Sequence, residues 1–227
     1  MIGPKEKLLI IGDGETAQLA CTYFRQMGVL VAGFSVERAY LQTKTLLGLP
    51  VVALEEAQHT FNPQNYRAFV AISYTQLNHL RSRLVVATKN KGYQLATYLS
   101  PQASIDPEVE IGENCFILEN TTIQRGAKIG SNVTIWAGSI IGHRTTIAPN
   151  CFLAIGVAVS GFCHIGENSF LGVNCCLSDG VHIGQNCIIG AGSVVLKDVS
   201  EGKVYAGNPA KPLQTTTHNY ISGAKTI

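Results

Sequence analysis

Charge is scarce in this chain of 227 residues: charged side chains make up 14%, the formal net charge is +2, and the basic residues form no run. Nucleic acids and anionic membrane surfaces are held by clustered lysine and arginine, so composition gives no electrostatic ground for either partner. Long apolar stretches are missing as well. Met1-Ile2-Gly3-Pro4-Lys5-Glu6-Lys7 leads straight into a strand-like Leu8–Ile11, without the apolar core of a secretory signal, and nothing reaches the length of a membrane span. A cytoplasmic protein is expected. There are 7 cysteines but no CxxC pair, which removes the usual zinc-ribbon and dithiol motifs.

What is present is a period of six. From Leu99 to Val195 every sixth residue is Ile, Leu or Val, with no insertion to break the phase. Four residues after each comes a small or β-branched side chain, and Cys115, Cys151, Cys163, Cys175 and Cys187 all fall there. Cysteine at such a position acts as a small hydrophobe. Only Cys21 and Cys176 lie elsewhere. A sustained hexapeptide period predicts an all-β parallel β-helix, each repeat forming one short strand and its corner. Three repeats close a coil, so residues 18 apart stack at the inter-strand spacing of about 4.8 Å.

The first 98 residues read differently. Lys7-Leu8-Leu9-Ile10-Ile11 is an apolar run that ends in Gly12-Asp13-Gly14-Glu15-Thr16-Ala17 and continues as a helical pattern through Gln26. Further strands are expected over Val29–Phe34 and Ala68–Ile72, giving an open α/β unit of the Rossmann type. The turn matches G-x-G-x-x-A, which brings backbone amides and a helix N-terminus towards phosphate oxygens or merely lets helix and strand pack closely. An NAD-type site also wants an acidic residue ending the second strand, and Glu37 comes late for that, so a nucleotide or nucleotide-sugar phosphate is the preferred ligand. Asn78 and Arg81, opening the next helix, either reach a ligand at the carboxyl edge of the sheet or cap and solvate that helix.

Within the repeat, His164 and His182 are 18 apart and each precedes an aliphatic position, predicting an outward ladder. A third ligand for zinc is not evident beside them, and no metal site is expected. His143 differs. Its column holds Gly161 one coil later, Arg125 one coil earlier and Asp179 two coils later. A glycine beside a histidine leaves an open notch with an accessible amide. That arrangement serves acyl transfer, with a base for the incoming nucleophile and a donor for the thioester oxygen. A surface corner histidine would read the same way.

The unbroken hexapeptides, Gly138-Ser139-Ile140-Ile141-Gly142-His143, the segment Ser160–Asn174 and the terminal Gly207-Asn208-Pro209-Ala210-Lys211 resemble bacterial hexapeptide sugar acyltransferases. Up to about residue 212 the chain is similar to the NeuD/PglD-like group of nucleotide-aminosugar N-acetyltransferases and sialic acid O-acetyltransferases. The resemblance implies a Rossmann-like nucleotide-sugar domain over 1–98, a left-handed β-helix over 99–212, and a tail over 213–227. It also implies a homotrimer with acetyl-CoA along the groove between neighbouring prisms. His143 then matches the general base, and Gly161 the amide that holds the thioester carbonyl. Gly156, Val173, Asn174 and Ala191 match the pantetheine groove. Gly12, Asp13 and Gly14, with Ser35, match the nucleotide-sugar site. Three departures stand out: Arg144 follows the base where Asp or Glu is common, Phe152 replaces a second histidine, and Glu15 replaces a histidine of the glycine turn.

The expected activity is therefore acetyl transfer from acetyl-CoA to the amino group of a nucleotide-linked 4-amino-4,6-dideoxy sugar, serving surface polysaccharide or glycan synthesis. O-acetylation of a sugar hydroxyl by the same residues is the nearest alternative. A metal-dependent β-helix using His143, His164 and His182, and a non-catalytic nucleotide-sugar binder, are the readings from other classes.

Overall fold

The structure, a computed structural model, describes residues 2–223, with side chains through Tyr220. The chain forms two compact units. One takes in the residues up to Thr75 together with Leu80–Tyr98, the other Gln76–His79 and the chain from Leu99 onward.

In the first unit, β1 (Lys7–Ile11), α1 (Glu15–Gln26), β2 (Leu30–Val36), β3 (Thr45–Leu46), β4 (Leu49–Ala53), α2 (Ala57–Thr60), β5 (Arg67–Val70) and α3 (His79–Asn90) follow in order. The sheet order is β3-β4-β2-β1-β5, parallel except for the edge pair β3–β4. Leu8, Leu9, Ile10 and Ile11 are all buried, as expected of a parallel strand covered on both faces. On α1 the buried residues Ala17, Ala20, Cys21 and Phe24 recur at three- and four-residue intervals and so make one apolar stripe. Two expected strands shift by a residue or two, to Leu30–Val36 and Arg67–Val70. The β3–β4 hairpin is not legible in the sequence because Pro50 interrupts the short apolar signal of Val51 and Val52; Pro50 is accommodated because the β2–β4 register begins only at Val51.

The second unit is a parallel β-helix of three sheets. Each repeat contributes a strand of two residues, and Ile123 pairs with Ile141, Ile141 with Val159 and Val159 with Leu177. This is the 18-residue register the period demands. Inside the prism the aliphatic positions and the five repeat cysteines form one buried core. The three faces differ. One presents Ser104, Thr122, Ile140, Ala158, Cys176 and Val194. A second presents Glu110, Lys128, Thr146, His164 and His182. The third carries Phe116, Thr134, Phe152, Phe170 and Ile188, largely buried, with Leu77 packed on Ile188, Val204 and Phe170. The tail adds an antiparallel strand, Lys211–Thr216 against Lys203–Ala206, and a helix, Thr217–Gly223.

Corners turn through left-handed backbone, and the residues that take it are again 18 apart. Asn114, Asn132, Asn150, Asn168 and Asn186 form one column, and Asn120, Gly138, Gly156, Asn174 and Gly192 another. Asparagine and glycine are the residues that tolerate this region. In the first column the amides stack into a ladder, Asn114 Nδ2 donating to Asn132 Oδ1 and Asn132 Nδ2 to Asn150 Oδ1, both at 2.8 Å.

Candidate active site

The third corner column breaks the rule. It runs Gly126, Arg144, Phe162, Gly180, with φ of 55° at Arg144 and 58° at Phe162. A left-handed conformation costs an ordinary L-residue about 1–2 kcal/mol, and such strain gathers where geometry serves a function. Both strained residues directly follow the candidate site residues, His143 and Gly161. The Arg144 guanidinium lies 5.7 Å over the Phe162 ring, and the His143 imidazole meets that ring edge-on at 4.8 Å between centroids.

His143 itself is exposed, and its ring lies against Gly161 of the next coil. A Cβ placed on Gly161 would stand 2.5 Å from Cε1 and 2.8 Å from Nε2 of the imidazole. The missing side chain is therefore the seat of the ring. On the other side, Gln124 Oε1 accepts the His143 backbone N–H at 2.9 Å and lies 3.4 Å from Nδ1. Sequence reasoning missed Gln124, although its place one coil before Gly142 could have drawn attention to it. The structure corrects one expectation here. The Gly161 amide is not open: it is buried and donates to Asp179 Oδ1 at 2.9 Å.

Gly156, Val173, Asn174 and Ala191 come together on a different corner, the one shared with Gly138 and Gly192. Val173, Asn174 and Ala191 are exposed, as is the neighbouring Ile155, so the corner carries an apolar ridge. The strand Ala158–Val159 lies between this corner and the one that carries Gly161. Within one prism, His143 and the candidate pantetheine residues thus occupy opposite edges of the same face.

In the first unit the glycine turn is tight at Gly12 and open at Gly14. Gly12 has φ of 116°, and a Cβ there would lie 2.9 Å from the Ala71 carbonyl oxygen; Gly14 has open space around it and starts α1 without a side-chain cap. The Gly12 amide donates to the Ser35 carbonyl at 2.8 Å, which brings Ser35 to the turn. Its hydroxyl, however, is fully buried. Asn78 and Arg81 need correcting too. Arg81 is 1% exposed and its Nη1 donates to the Ile72 and Ser73 carbonyls at 3.4 Å, so it closes the loop after β5. Asn78 belongs to the β-helix unit, where its Nδ2 donates to Asn168 O at 3.4 Å. Glu37 is held in a bidentate pair with Arg83 at 2.7 and 2.8 Å, which lowers its pKa through those hydrogen bonds. A carboxylate so engaged is poorly placed for a ribose hydroxyl.

Thiol chemistry is disfavoured. Burial pushes the Cys175 thiol up to about 12 and raises Cys163 and Cys187 as well, so these sulfurs stay protonated and unreactive. His164 and His182 stack at 5.9 Å. Among the described residues no group of three or more His, Cys, Asp or Glu side chains could hold a metal ion, and no helix is long and apolar enough to cross a membrane.

The hexapeptide coil that carries the His143 and Gly161 corner also appears in the comparisons. The family model "Hexapeptide repeat of succinyl-transferase" matches residues 108–143 and 164–197. No curated protein is matched by sequence. Among solved structures, a mutant of perosamine N-acetyltransferase from Caulobacter crescentus, in complex with CoA and GDP-perosamine, is 30% identical with a TM-score of 0.84, covering 95% of this chain and 99% of its own. PerB from the same organism, also with CoA and GDP-perosamine, is 31% identical with a TM-score of 0.82 over 94% and 98%. WeeI from Acinetobacter baumannii is 25% identical with a TM-score of 0.80 over 91% and 99%. The chain belongs to the hexapeptide-repeat sugar acyltransferase family.

Proposed function

We propose that this protein is an acetyl-CoA-dependent N-acetyltransferase acting on a nucleotide-linked amino sugar. The observation that carries the reading is the likeness, at 30–31% identity and over nearly the whole chain, to an N-acetyltransferase crystallised with CoA and GDP-perosamine. Residues 1–98 form the Rossmann-like nucleotide-sugar domain, residues 99–212 the left-handed β-helix that carries the chemistry, and the chain works in the cytoplasm. The nucleotide part docks at Gly12, Asp13 and Gly14, where α1 points its N-terminal amides at phosphate oxygens. Gly156, Val173, Asn174 and Ala191 line the pantetheine arm.

His143 acts as general base. The sugar nitrogen attacks the thioester carbonyl carbon, His143 Nε2 takes the proton it sheds, and the Gly161 amide stabilises the oxyanion once Asp179 has released it. Collapse of the tetrahedral intermediate breaks the C–S bond, and the departing thiolate recovers the proton from the imidazolium. No acyl-enzyme forms, in keeping with the raised pKa values of the buried cysteines.

The enzyme is further proposed to be a homotrimer. The face with Ile140, Ala158, Cys176 and Val194 is the apolar one left accessible, and packing it against a neighbour brings the pantetheine corner of one prism towards the His143 corner of the next. Thiol release from acetyl-CoA against a panel of nucleotide-linked 3-amino and 4-amino sugars, with His143→Ala in parallel, tests the reading. Turnover with one amino sugar, lost in the variant, is expected. Silence across the panel, or undiminished turnover in His143→Ala, would overturn it.

A further inference from the structure

The acid that commonly follows the family's base is replaced here by Arg144, and Arg144 turns away to stack over Phe162. Some other group must fix the imidazole if it is to present one nitrogen to the acceptor. We propose that Gln124 is the positioning residue for His143, its side-chain carbonyl selecting the Nδ1–H tautomer and leaving Nε2 as the base. The inference rests on His143 being the base of the proposed reaction.

The geometry is local and over-determined. The Gln124 backbone N–H donates to the Ile141 carbonyl at 2.9 Å, which anchors the residue one coil below the histidine. Its Oε1 then accepts from the His143 backbone N–H at 2.9 Å and faces Nδ1 at 3.4 Å. A carbonyl oxygen has no proton to give, so this contact is a hydrogen bond only when the facing ring nitrogen carries the proton. Gly161 lies against the other face of the ring, one coil above, and Phe162 meets its edge. The charged groups of the adjoining corners are engaged elsewhere: Arg125 with Glu108 at 2.6 and 2.8 Å, Asp179 with the Gly161 amide, Arg144 with Phe162. Gln124 is thus a neutral substitute for the usual carboxylate. It orients the base without adding the negative charge that would favour imidazolium.

Two readouts on wild type, Gln124→Leu and Gln124→Glu test this: steady-state kinetics across pH, and nitrogen-15 spectra of labelled histidine with the His143 signal identified by its loss in His143→Ala. Wild type is expected to show the Nδ1–H tautomer. In Gln124→Leu, His143 becomes a tautomer mixture and kcat falls about tenfold, with both KM values nearly unchanged. Gln124→Glu restores orientation and moves the acidic limb of kcat/KM to higher pH. A Gln124→Leu protein that keeps both the Nδ1–H signal and kcat overturns the proposal. If wild type transfers no acetyl group, the functional reading fails separately, and the spectra alone decide whether Gln124 sets the tautomer.

Discussion

The amide nitrogen of Gly161 lies 2.9 Å from Oδ1 of Asp179, one coil above it, and so the donor proposed for the acyl oxygen is already engaged. A thioester carbonyl can use this amide only by displacing a carboxylate, whose charge also opposes an oxyanion nearby. The Asp179 side chain sits on an exposed corner and has room to swing away. Removing it in Asp179→Ala should lower KM for acetyl-CoA by about tenfold, since each tenfold in affinity is about 1.4 kcal/mol and a charge-assisted hydrogen bond is at least of that size. Initial-rate kinetics at fixed amino sugar measure it. A raised KM would instead make Asp179 a support that holds the corner in shape.

Asn132 is the centre of a ladder, its Oδ1 accepting from Asn114 Nδ2 below and its Nδ2 donating to Asn150 Oδ1 above. Its left-handed φ of 60° suits asparagine or glycine. Asn132→Gly and Asn132→Ala both break the ladder, at a cost of about 1–3 kcal/mol for the stranded buried amides. Asn132→Ala adds a further ~1–2 kcal/mol for placing a Cβ in left-handed backbone. Denaturant midpoints of the two variants should therefore fall below wild type in the order Gly, then Ala. Equal midpoints would mean that the corner relaxes out of the left-handed region.

Much of this fold is legible because the hexapeptide period leaves no freedom: Ile123, Ile141 and Val159 must stack, and they do. The first strand and its glycine turn are read as readily, from an apolar run ended by Gly12. What escapes the sequence is side-chain engagement. His143 and Gly161 are visible as a column, yet nothing in residue order says that Asp179 reaches down to the Gly161 amide or that Gln124 reaches up to His143. Arg81 reads as either a ligand contact or a solvated helix residue and is instead buried, because the carbonyls of Ile72 and Ser73 turn inward to meet it. Periodicity reports which face a residue takes, and it is silent on which partner a polar tip selects.

Tyr93 gives the first unit an alkaline weakness. Its hydroxyl donates to the Phe61 carbonyl at 2.6 Å in a buried setting, and burial pushes the phenol up to about 12 from an ordinary 10.0. The folded chain holds this proton at a pH where the unfolded chain releases it. Stability from this group is therefore intact below pH 10 and is lost as pH rises from about 10 to about 12. Tyr93→Phe should lose about 1 kcal/mol near neutrality with the hydrogen bond and show a shallower decline above pH 10. Thermal melts across that range, compared with wild type, check the slope.

Ile140 stands 48% exposed in the middle of the apolar prism face, flanked in register by Thr122 and Ala158. Neighbouring faces solve the exposure problem differently: one sets Glu110 against Lys128 at 3.1 Å, the other is covered. An aliphatic column with small neighbours wants a partner surface of the same kind, and in the proposed homotrimer a second and third copy of the chain supply it. Ile140→Lys puts three ammonium groups near one axis, where each loses solvent and repels the others. The variant should elute as a folded monomer in light-scattering chromatography and lose at least 100-fold in thiol release, because His143 and the Gly156–Val173–Asn174 corner would no longer face one another across an interface. A variant that stays trimeric would remove this face from the interface, whereas an active monomer would show that a single prism holds the whole site.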